Sequence, residues 1–305
     1  MKKIAYLLNG RLKKKDELIG RLRQRLAGQV EQQVYITAAT GDGIRLGQAA
    51  IEAGADFLIA VGGDGMLNEL VNGYMNRARS HRENAAIGLL PYGTANDFAK
   101  TIGMRKDVEQ LAQLIENTRT RRVDVGEIRY QSDEGEAKTR YFINIADLGI
   151  GGQVARTVNR GNRLWGANLT YRKAIIQAFF TYKHIKVRLT SDTYQWQGPI
   201  LSLCMANGRF FGSGLCIAPQ AEVADGQIQL VILGNVTLTD YLRNLSAIKR
   251  GDLLDHPEIH YQKVSSCRIE SGDRECPVNM DGEFIGYAPI EMNVLPQTLK
   301  ILQGY

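Results

Sequence analysis

Residues 57–70 read FLIAVGGDGMLNEL. Phe57–Val61 is a short apolar run, typical of a buried strand, and a glycine-rich turn follows it at once. From Met66 onward, apolar residues recur at helical spacing. Glycines at such a turn let backbone N–H groups approach a phosphate closely, and the N-terminus of a helix adds a favourable dipole. The segment therefore predicts a strand, a phosphate-binding turn and a helix.

Asp64 is the unexpected member of this turn, because a carboxylate would repel a phosphate. A Mg²⁺ ion bound with the nucleotide, held directly or through water, would remove that repulsion. The simpler alternative is a glycine-rich turn in which Asp64 caps the following helix. We favour phosphate binding, because the glycines exceed what a helix cap requires.

Short apolar runs and helical patterns alternate along the chain as far as about residue 120. The predicted strands are Ile4–Leu8, Val34–Ile36, Phe57–Val61 and Ala86–Leu90, and the helices between them carry Leu18, Leu22 and Leu26 or span Ile44–Ala53. This rhythm is typical of a doubly wound parallel sheet with helices on both faces. We assign residues 1–122 to such a nucleotide-binding α/β domain.

The character of the sequence changes near Arg122, where strand-like runs separated by Gly, Asp and Pro residues begin. These runs are Val123–Ile128, Tyr141–Ile145, Lys186–Leu189, Pro199–Met205, Ile228–Leu233 and Ser266–Ile269, with helical insertions near Asn168–Tyr182 and Thr239–Lys249. They predict an antiparallel β-sandwich or barrel-like domain over residues 123–290.

A second polar loop, PYGTANDFA at residues 91–99, also follows a predicted strand and opens a helix. Open parallel sheets bind ligands at the carboxyl ends of their strands, where neighbouring crossovers diverge. Two glycine-containing loops at that edge predict one shared cleft. Taken alone, the second loop is more often only a turn and a helix cap.

The two loops together resemble the catalytic domain shared by diacylglycerol, sphingosine and ceramide kinases, and most closely its soluble bacterial branch. The resemblance spans nearly the whole chain in order. It implies that the β-sandwich domain, residues 123–290, binds lipid and carries catalytic residues. It also implies that the tail 291–305 returns to the first domain. It continues through Thr40–Asp42, Arg122–Gly126, Asn144–Gly151, Ala224–Gly226 and Asp281–Glu283. Met66 stands where the family usually has threonine, and Lys100 stands where relatives often carry arginine.

The resemblance implies a role for each matching residue. ATP would be bound by Thr37, Gly62, Gly63, Asp64, Gly65, Met66, Leu67, Asn68, Glu69, Gly93 and Thr94, and Asn96, Asp97, Lys100 and Asp124 would support the cleft. Glu283 would accept the proton of a lipid hydroxyl, with Asp281 beside it as a second catalytic residue. Phosphoryl transfer needs positioning and charge neutralisation more than a strong base, so a carboxylate suits this role. Asp281-Gly282 can equally be a hairpin turn.

The resemblance also implies a structural Mg²⁺ site. Its ligands would be the Asp225 carboxylate and the main-chain carbonyls of Glu222 and Gln227. Oxygen ligands completed by water suit this ion. An ordinary Asp-Gly turn between strands is the alternative.

Composition restricts the partners. The chain has 305 residues and a formal net charge of +6, which favours an anionic partner without naming one. No apolar window is long enough to span a membrane, and the four scattered cysteines indicate neither a zinc site nor disulfides, so a cytoplasmic location is expected. We predict no nucleic-acid partner, and a homodimer is left open.

Residues 148–191 contain no acidic side chain. Basic and aromatic residues alternate there: Arg156, Arg160, Arg163, Trp165, Tyr171, Arg172, Lys173, Phe179, Phe180, Tyr182, Lys183, Lys186 and Arg188. Such a stretch can lie on an anionic bilayer, so transient peripheral contact with a membrane is expected. An aromatic core face with solvated lysines is the alternative.

The sequence thus predicts an ATP- and Mg²⁺-dependent lipid kinase that acts on diacylglycerol or a related lipid in phospholipid metabolism. A kinase that phosphorylates NAD is one alternative, because NAD kinases also use a Gly-Gly-Asp-Gly loop on a related fold. A non-catalytic nucleotide or lipid sensor, with a site weakened at Met66, is another.

Overall fold

A computed structural model of the protein describes residues 1–132, 135–154, 177–178, 180–272 and 274–304. The chain divides into two compact units. The first contains Met1–Val123 and Gln297–Tyr305, and the second contains Asp124–Pro296. The first is a parallel α/β unit and the second an antiparallel β-sandwich, which confirms the predicted fold class.

The first unit is built on a parallel sheet. Its strands are β1 (Lys2–Leu8), β2 (Val30–Ile36), β3 (Phe57–Gly62) and β4 (Ala86–Pro91), in the order β2–β1–β3–β4. The helices of this unit are α1 (Lys15–Arg25), α2 (Asp42–Glu52), α3 (Asp64–Met75), α4 (Arg79–Arg82), α5 (Asp97–Thr101) and α6 (Val108–Glu116). The long strand β17 (Glu283–Leu302) ends in this sheet, where Ile301 pairs with Ile87 of β4.

Burial explains why these segments adopt their structures. Every residue of β3 and β4 is buried, as expected for central parallel strands covered on both faces. Helix α3 is buried from Met66 to Met75, whereas α1 buries only Leu18 and Leu22. The strands therefore fix the positions of the loops at their carboxyl ends.

The second unit is an antiparallel sandwich. Its strands are β5 (Thr120–Gln131), β6 (Ala137–Phe142), β7 (Ile145–Gly149), β8 (Ile185–Thr190), β9 (Gln195–Ile200), β10 (Ser202–Ala206), β11 (Phe210–Phe211), β12 (Leu215–Cys216), β13 (Ile228–Leu233), β14 (Ile259–Val264), β15 (Ser266–Ser271), β16 (Pro277–Met280) and the first part of β17, with helix α7 (Leu238–Arg250) between β13 and β14. One layer runs β14–β13–β10–β7–β16, and β17 pairs with β16 and then with β15. Strand β15 continues the pairing through β8 to β9. The apolar core between the layers includes Phe142, Leu148 and Met280.

Two strand predictions in this unit are wrong in detail. Tyr141–Ile145 is not one strand, because the chain turns between β6 and β7. Pro199–Met205 is split in the same way, since the Leu201 N–H donates to the carbonyls of Leu233 and Gly234 between β9 and β10. The predicted helix near 239–249 is α7, and most of the one predicted near 168–182 lies outside the described residues. Within the described ranges, no helix is both long and apolar enough to cross a membrane.

Candidate active site

The two glycine loops meet at the carboxyl edge of the parallel sheet. Strands β3 and β4 are neighbours in register, with Gly62 opposite Pro91. The Gly62 carbonyl accepts the N–H groups of Tyr92 (2.8 Å) and Gly93 (3.1 Å). The first loop therefore holds the start of the second directly.

Gly63 and Gly93 are in backbone contact. A Cβ atom on Gly93 would lie 2.3 Å from the Gly63 Cα atom, and one on Gly63 would lie 3.0 Å from the Gly93 Cα atom. The two loops pass so close to each other that a side chain on Gly93 would clash, so only glycine fits at this position. Asn96 braces the same loop, because its side chain accepts the Gly93 N–H (3.0 Å) and donates to the Gly93 carbonyl (2.9 Å).

Asp64 connects the two glycine loops through hydrogen bonds. Its carboxylate accepts the backbone N–H groups of Asp97 (3.0 Å) and Phe98 (3.1 Å) at the start of α5. Burial raises the pKa of Asp64, and these two donors oppose that rise. The carboxylate in the phosphate-binding turn thus has a role without a metal: it caps the helix that follows the second loop.

Thr37 lies at the same edge, after β2. Its hydroxyl accepts the Gly10 N–H (3.2 Å), and its own N–H donates to the Leu8 carbonyl (3.0 Å). The Asn9 N–H in turn donates to the Val61 carbonyl (3.2 Å). The ends of β1, β2 and β3 are therefore linked to one another beside the glycine loops.

The remaining predicted ATP-binding residues on α3 face the interior. Leu67 and Asn68 have no exposed surface, and Met66 is almost fully buried. The Glu69 carboxylate accepts the N–H groups of Gly41 (2.8 Å) and Gly43 (2.7 Å), which fixes the turn before α2. A ligand could therefore meet this helix only through the backbone of its first turn, at Asp64 and Gly65.

Two polar residues of the second loop differ in exposure. Thr94 is exposed, whereas Asp97 is buried and accepts a hydrogen bond from the Lys100 ammonium (2.7 Å). Thr94 is thus accessible from solvent, while Asp97 and Lys100 pair with each other.

In the second unit, Asp281 and Glu283 have different environments. Asp281 is buried, and its carboxylate accepts three backbone N–H groups of the turn between β6 and β7, those of Ile143 (3.3 Å), Asn144 (3.2 Å) and Ile145 (2.9 Å). Asp281 itself has a left-handed backbone (φ 48°). Its carboxylate is therefore engaged in holding a turn.

Glu283 is the more accessible acid. Its side chain is partly exposed, and Arg140 of β6 places a guanidinium nitrogen 3.4 Å from its carboxylate. The Arg140 guanidinium and the Glu283 carboxylate therefore form an ion pair. Arg140 lies 143 positions away in the sequence, and no motif pointed to it.

Asp124 belongs to a third cluster, in the second unit, and not to the glycine loops. Its carboxylate accepts the Gly226 N–H (2.7 Å), and its own N–H donates to the Val223 carbonyl (2.7 Å). Asp124 thus fixes the turn that carries Asp225.

The predicted Mg²⁺ ligands do not fit a resident Mg²⁺ ion as they stand. The Lys263 ammonium lies 2.7 Å from one Asp225 carboxylate oxygen and 3.6 Å from the Glu222 carboxylate. The other Asp225 oxygen accepts the Gln227 N–H (3.0 Å). A cation already neutralises the single carboxylate of the predicted site.

Comparisons with known proteins cover both units. A family model described as the diacylglycerol kinase catalytic domain matches residues 5–128. A second, the YegS C-terminal NAD kinase beta sandwich-like domain, matches residues 144–303. A protein of Chromohalobacter salexigens named "Probable lipid kinase YegS-like" is 33% identical over 304 residues, which cover 96% of this chain and 90% of that protein. A diacylglycerol kinase of Staphylococcus carnosus is 27% identical over 271 residues, covering 89% and 84%.

Solved structures agree on the fold. A crystal structure of a diacylglycerol kinase from Bacillus anthracis superposes with a TM-score of 0.70 at 19% identity, covering 99% of this chain and 97% of that one. Yeast NADH kinase shares the fold more distantly, with a TM-score of 0.56 at 9% identity and coverage of 100% and 84%. With both family models matched in order and a relative one-third identical over its length, the chain belongs to the bacterial diacylglycerol-kinase-like family of lipid kinases.

Proposed function

We propose that this lipid kinase transfers the γ-phosphate of Mg²⁺-ATP to the hydroxyl of diacylglycerol or a closely related lipid, giving a phosphatidate-like product. Relatives named diacylglycerol kinase, such as the Staphylococcus carnosus protein, support the choice of acceptor. Mg²⁺ enters in this proposal as part of the nucleotide substrate. Contact with a membrane surface belongs to the proposal, because the acceptor resides in a bilayer.

The main support for ATP binding is the close backbone contact between Gly63 and Gly93. This contact places side-chain-free backbone beside the N-terminus of α3, a helix of twelve residues. The first N–H groups of a helix lack intrahelical partners and favour anions, so this edge suits a polyphosphate. Thr94 and the first turn of α3 are the expected phosphate contacts. Thr37, at the end of β2, contacts Gly10 of the loop after β1 at the same edge of the sheet.

We assign the acceptance of the lipid hydroxyl proton to Glu283. In the proposed step the lipid hydroxyl oxygen attacks the γ-phosphorus, the bond from that phosphorus to the β–γ bridging oxygen breaks, and ADP leaves. Glu283 takes the hydroxyl proton as the new oxygen–phosphorus bond forms. Arg140 forms an ion pair with this carboxylate, and Asp281 holds the neighbouring turn.

The test is transfer of labelled γ-phosphate from Mg²⁺-ATP to mixed lipid vesicles by wild type, Glu283→Gln and Glu275→Gln. Glu275 is an exposed glutamate of the same unit and serves as the matched control. We expect a labelled lipid from wild type and the control, and a rate about 10²–10⁴-fold lower from Glu283→Gln. The identity of the labelled lipid names the substrate.

Offering NAD in the same assay separates the alternatives. Label on NAD and on no lipid would contradict the proposal and favour the small-molecule kinase. ATP binding without transfer to any acceptor would favour the sensor.

A further inference from the structure

Lys263 pairs with Asp225, whose carboxylate is the one side-chain ligand that the resemblance gives to a divalent cation. It lies on β14, opposite Gln229 of β13. Its ammonium group is 2.7 Å from Asp225 and 3.6 Å from Glu222. About one-third of the Lys263 side chain and one-fifth of the Asp225 side chain are exposed, so water screens this pair only in part.

The turn that carries Asp225 is held by the protein itself. The Gly226 N–H is bound by Asp124, and the Gln227 N–H is bound by the Asp225 carboxylate. Lys263 adds a link from this turn to the sheet. The conformation that a metal would otherwise impose is thus maintained by hydrogen bonds and one ion pair.

The charge around Asp225 favours the Lys263 ammonium over Mg²⁺. Mg²⁺ binds oxygen ligands at about 2.0–2.1 Å, so an ion on the Asp225 carboxylate would lie within a few ångströms of the ammonium. Like charges at that distance repel strongly in a partly buried site. One carboxylate, with a mostly exposed Glu222 nearby, does not balance a divalent ion and a lysine together.

We propose that the Lys263 ammonium is the resident cation of the Asp225 site and replaces a divalent metal there. The stability of the second unit is then independent of Mg²⁺. As a further consequence, which rests on the proposed function, the Mg²⁺ requirement of the enzyme is confined to its nucleotide substrate.

The Asp225 site is not closed to metal ions from solvent. An open pocket of about 440 Å³ lies beside Lys263, lined also by Arg209, Gln220, Glu222 and Tyr261. About one-fifth of the Asp225 side chain is itself exposed, so ions from solvent can reach it. Replacing the lysine with an uncharged side chain of similar length should leave a site that a divalent cation can enter.

The experiment compares the thermal unfolding of wild type, Lys263→Met and Lys263→Arg in EDTA and in millimolar Mg²⁺, without nucleotide. Lys249→Met, at an exposed lysine of α7, is the matched control. We expect wild type and the control to unfold at the same temperature in both buffers. Lys263→Met should lose about 2–4 °C in EDTA and regain most of it in Mg²⁺, whereas Lys263→Arg should stay near wild type.

Calorimetric titration of the nucleotide-free proteins with Mg²⁺ gives a second readout. Saturable binding by Lys263→Met but not by wild type would support the exchange of cations. Wild type that is destabilised by EDTA and restored by Mg²⁺ would overturn it, as would Lys263→Met that matches the Lys249→Met control or stays destabilised in Mg²⁺. None of these results depends on kinase activity, so the proposed function can fail while this inference stands.

Discussion

Asp281 illustrates how a single carboxylate can hold a turn beside a candidate catalytic residue. Its three backbone N–H partners belong to the turn between β6 and β7. Glu283, two residues later, has an arginine beside it and partial exposure. The resemblance groups the two acids as catalytic, and their surroundings separate them.

Asp281→Asn should therefore destabilise the protein, whereas Glu283→Gln should not. Asparagine offers one acceptor oxygen to three N–H donors, so we expect a loss of about 1–3 kcal/mol in the free energy of unfolding. Urea unfolding measures that loss, and the transfer assay should show reduced activity for both variants. An Asp281→Asn variant as stable as Glu283→Gln would contradict the positioning role.

Asp147 predicts a pH dependence of stability. It is fully buried, burial raises its pKa from 3.8 to about 7, and its hydrogen bond from Asn279 (2.6 Å) opposes the rise only in part. Between about pH 4 and 7, the folded protein holds a proton on Asp147 that the unfolded chain has released. The stability this group contributes is complete below pH 4 and is lost as the pH rises to 7.

Asp147→Asn should remove that dependence, because an amide does not titrate. We expect the free energy of unfolding of the variant, relative to wild type, to increase by up to about 1.4 kcal/mol per pH unit between pH 4 and 7 and to level off above 7. Denaturant unfolding at four or five pH values measures this difference. A difference that is constant with pH would show that Asp147 ionises at its ordinary pKa.

At the level of residues, a sequence can indicate a candidate site only where the residues lie close together in the chain. The glycines and Asp64 lie within one turn, so their spacing could be read directly. Lys263 and Arg140 could not be found in this way. Their partners are 38 and 143 positions away, and only the pairing of distant strands brings them together.

At the scale of elements, the contact between the two glycine loops makes a sharp prediction. Gly93→Ala would place a methyl group 2.3 Å from the Gly63 Cα atom, so one loop must move. We expect nucleotide affinity to fall at least about tenfold, since the loops no longer share one edge. Titration calorimetry with a non-hydrolysable ATP analogue measures the change.

Gly20→Ala is the control for that variant. Gly20 is an exposed residue of α1 with open space around its Cα atom, and alanine is the better helix former there. It should bind the analogue as wild type does and unfold at an equal or slightly higher temperature. Equal affinity in all three proteins would mean that the contact between the loops does not form the nucleotide site.

Element prediction was reliable in the first unit for a physical reason. Its central strands are buried on both faces and appear as continuous apolar runs, and the helices between them carry clear periodicity. In the second unit, tertiary hydrogen bonds decide where strands end. The Asp281 carboxylate imposes the turn at 143–144, and a sequence window that ends before residue 281 contains no sign of it.

At the scale of the whole molecule, the chain enters the second unit once and returns to the first through β17. Leu299, Ile301 and Leu302 are fully buried after the return. The return of the tail was expected, but the length of β17, from Glu283 to Leu302, could not be predicted, because β17 pairs with strands of both units.

Surface charge is also a property of the whole molecule. It bears on the proposed contact with the membrane in which the lipid acceptor resides. The net charge is +6, and the acid-free segment 148–191 concentrates basic side chains. Residues 155–176 of that segment and Phe179 lie outside the described residues. In the described part, Phe180 is 77% exposed, and β8 turns Lys186 and Arg188 outward while Val187 and Leu189 enter the core.

We therefore expect this segment to contact anionic bilayers. Replacing Arg172 and Lys173 with glutamate should reduce the fraction of protein that sediments with phosphatidylglycerol vesicles at low salt, because each basic side chain near such a surface contributes about 1 kcal/mol. Replacing Lys13 and Lys15 with glutamate changes the net charge equally and is the control. An equal loss from both pairs would indicate attraction to net charge alone, and no loss from the first pair would show that the segment does not meet the membrane.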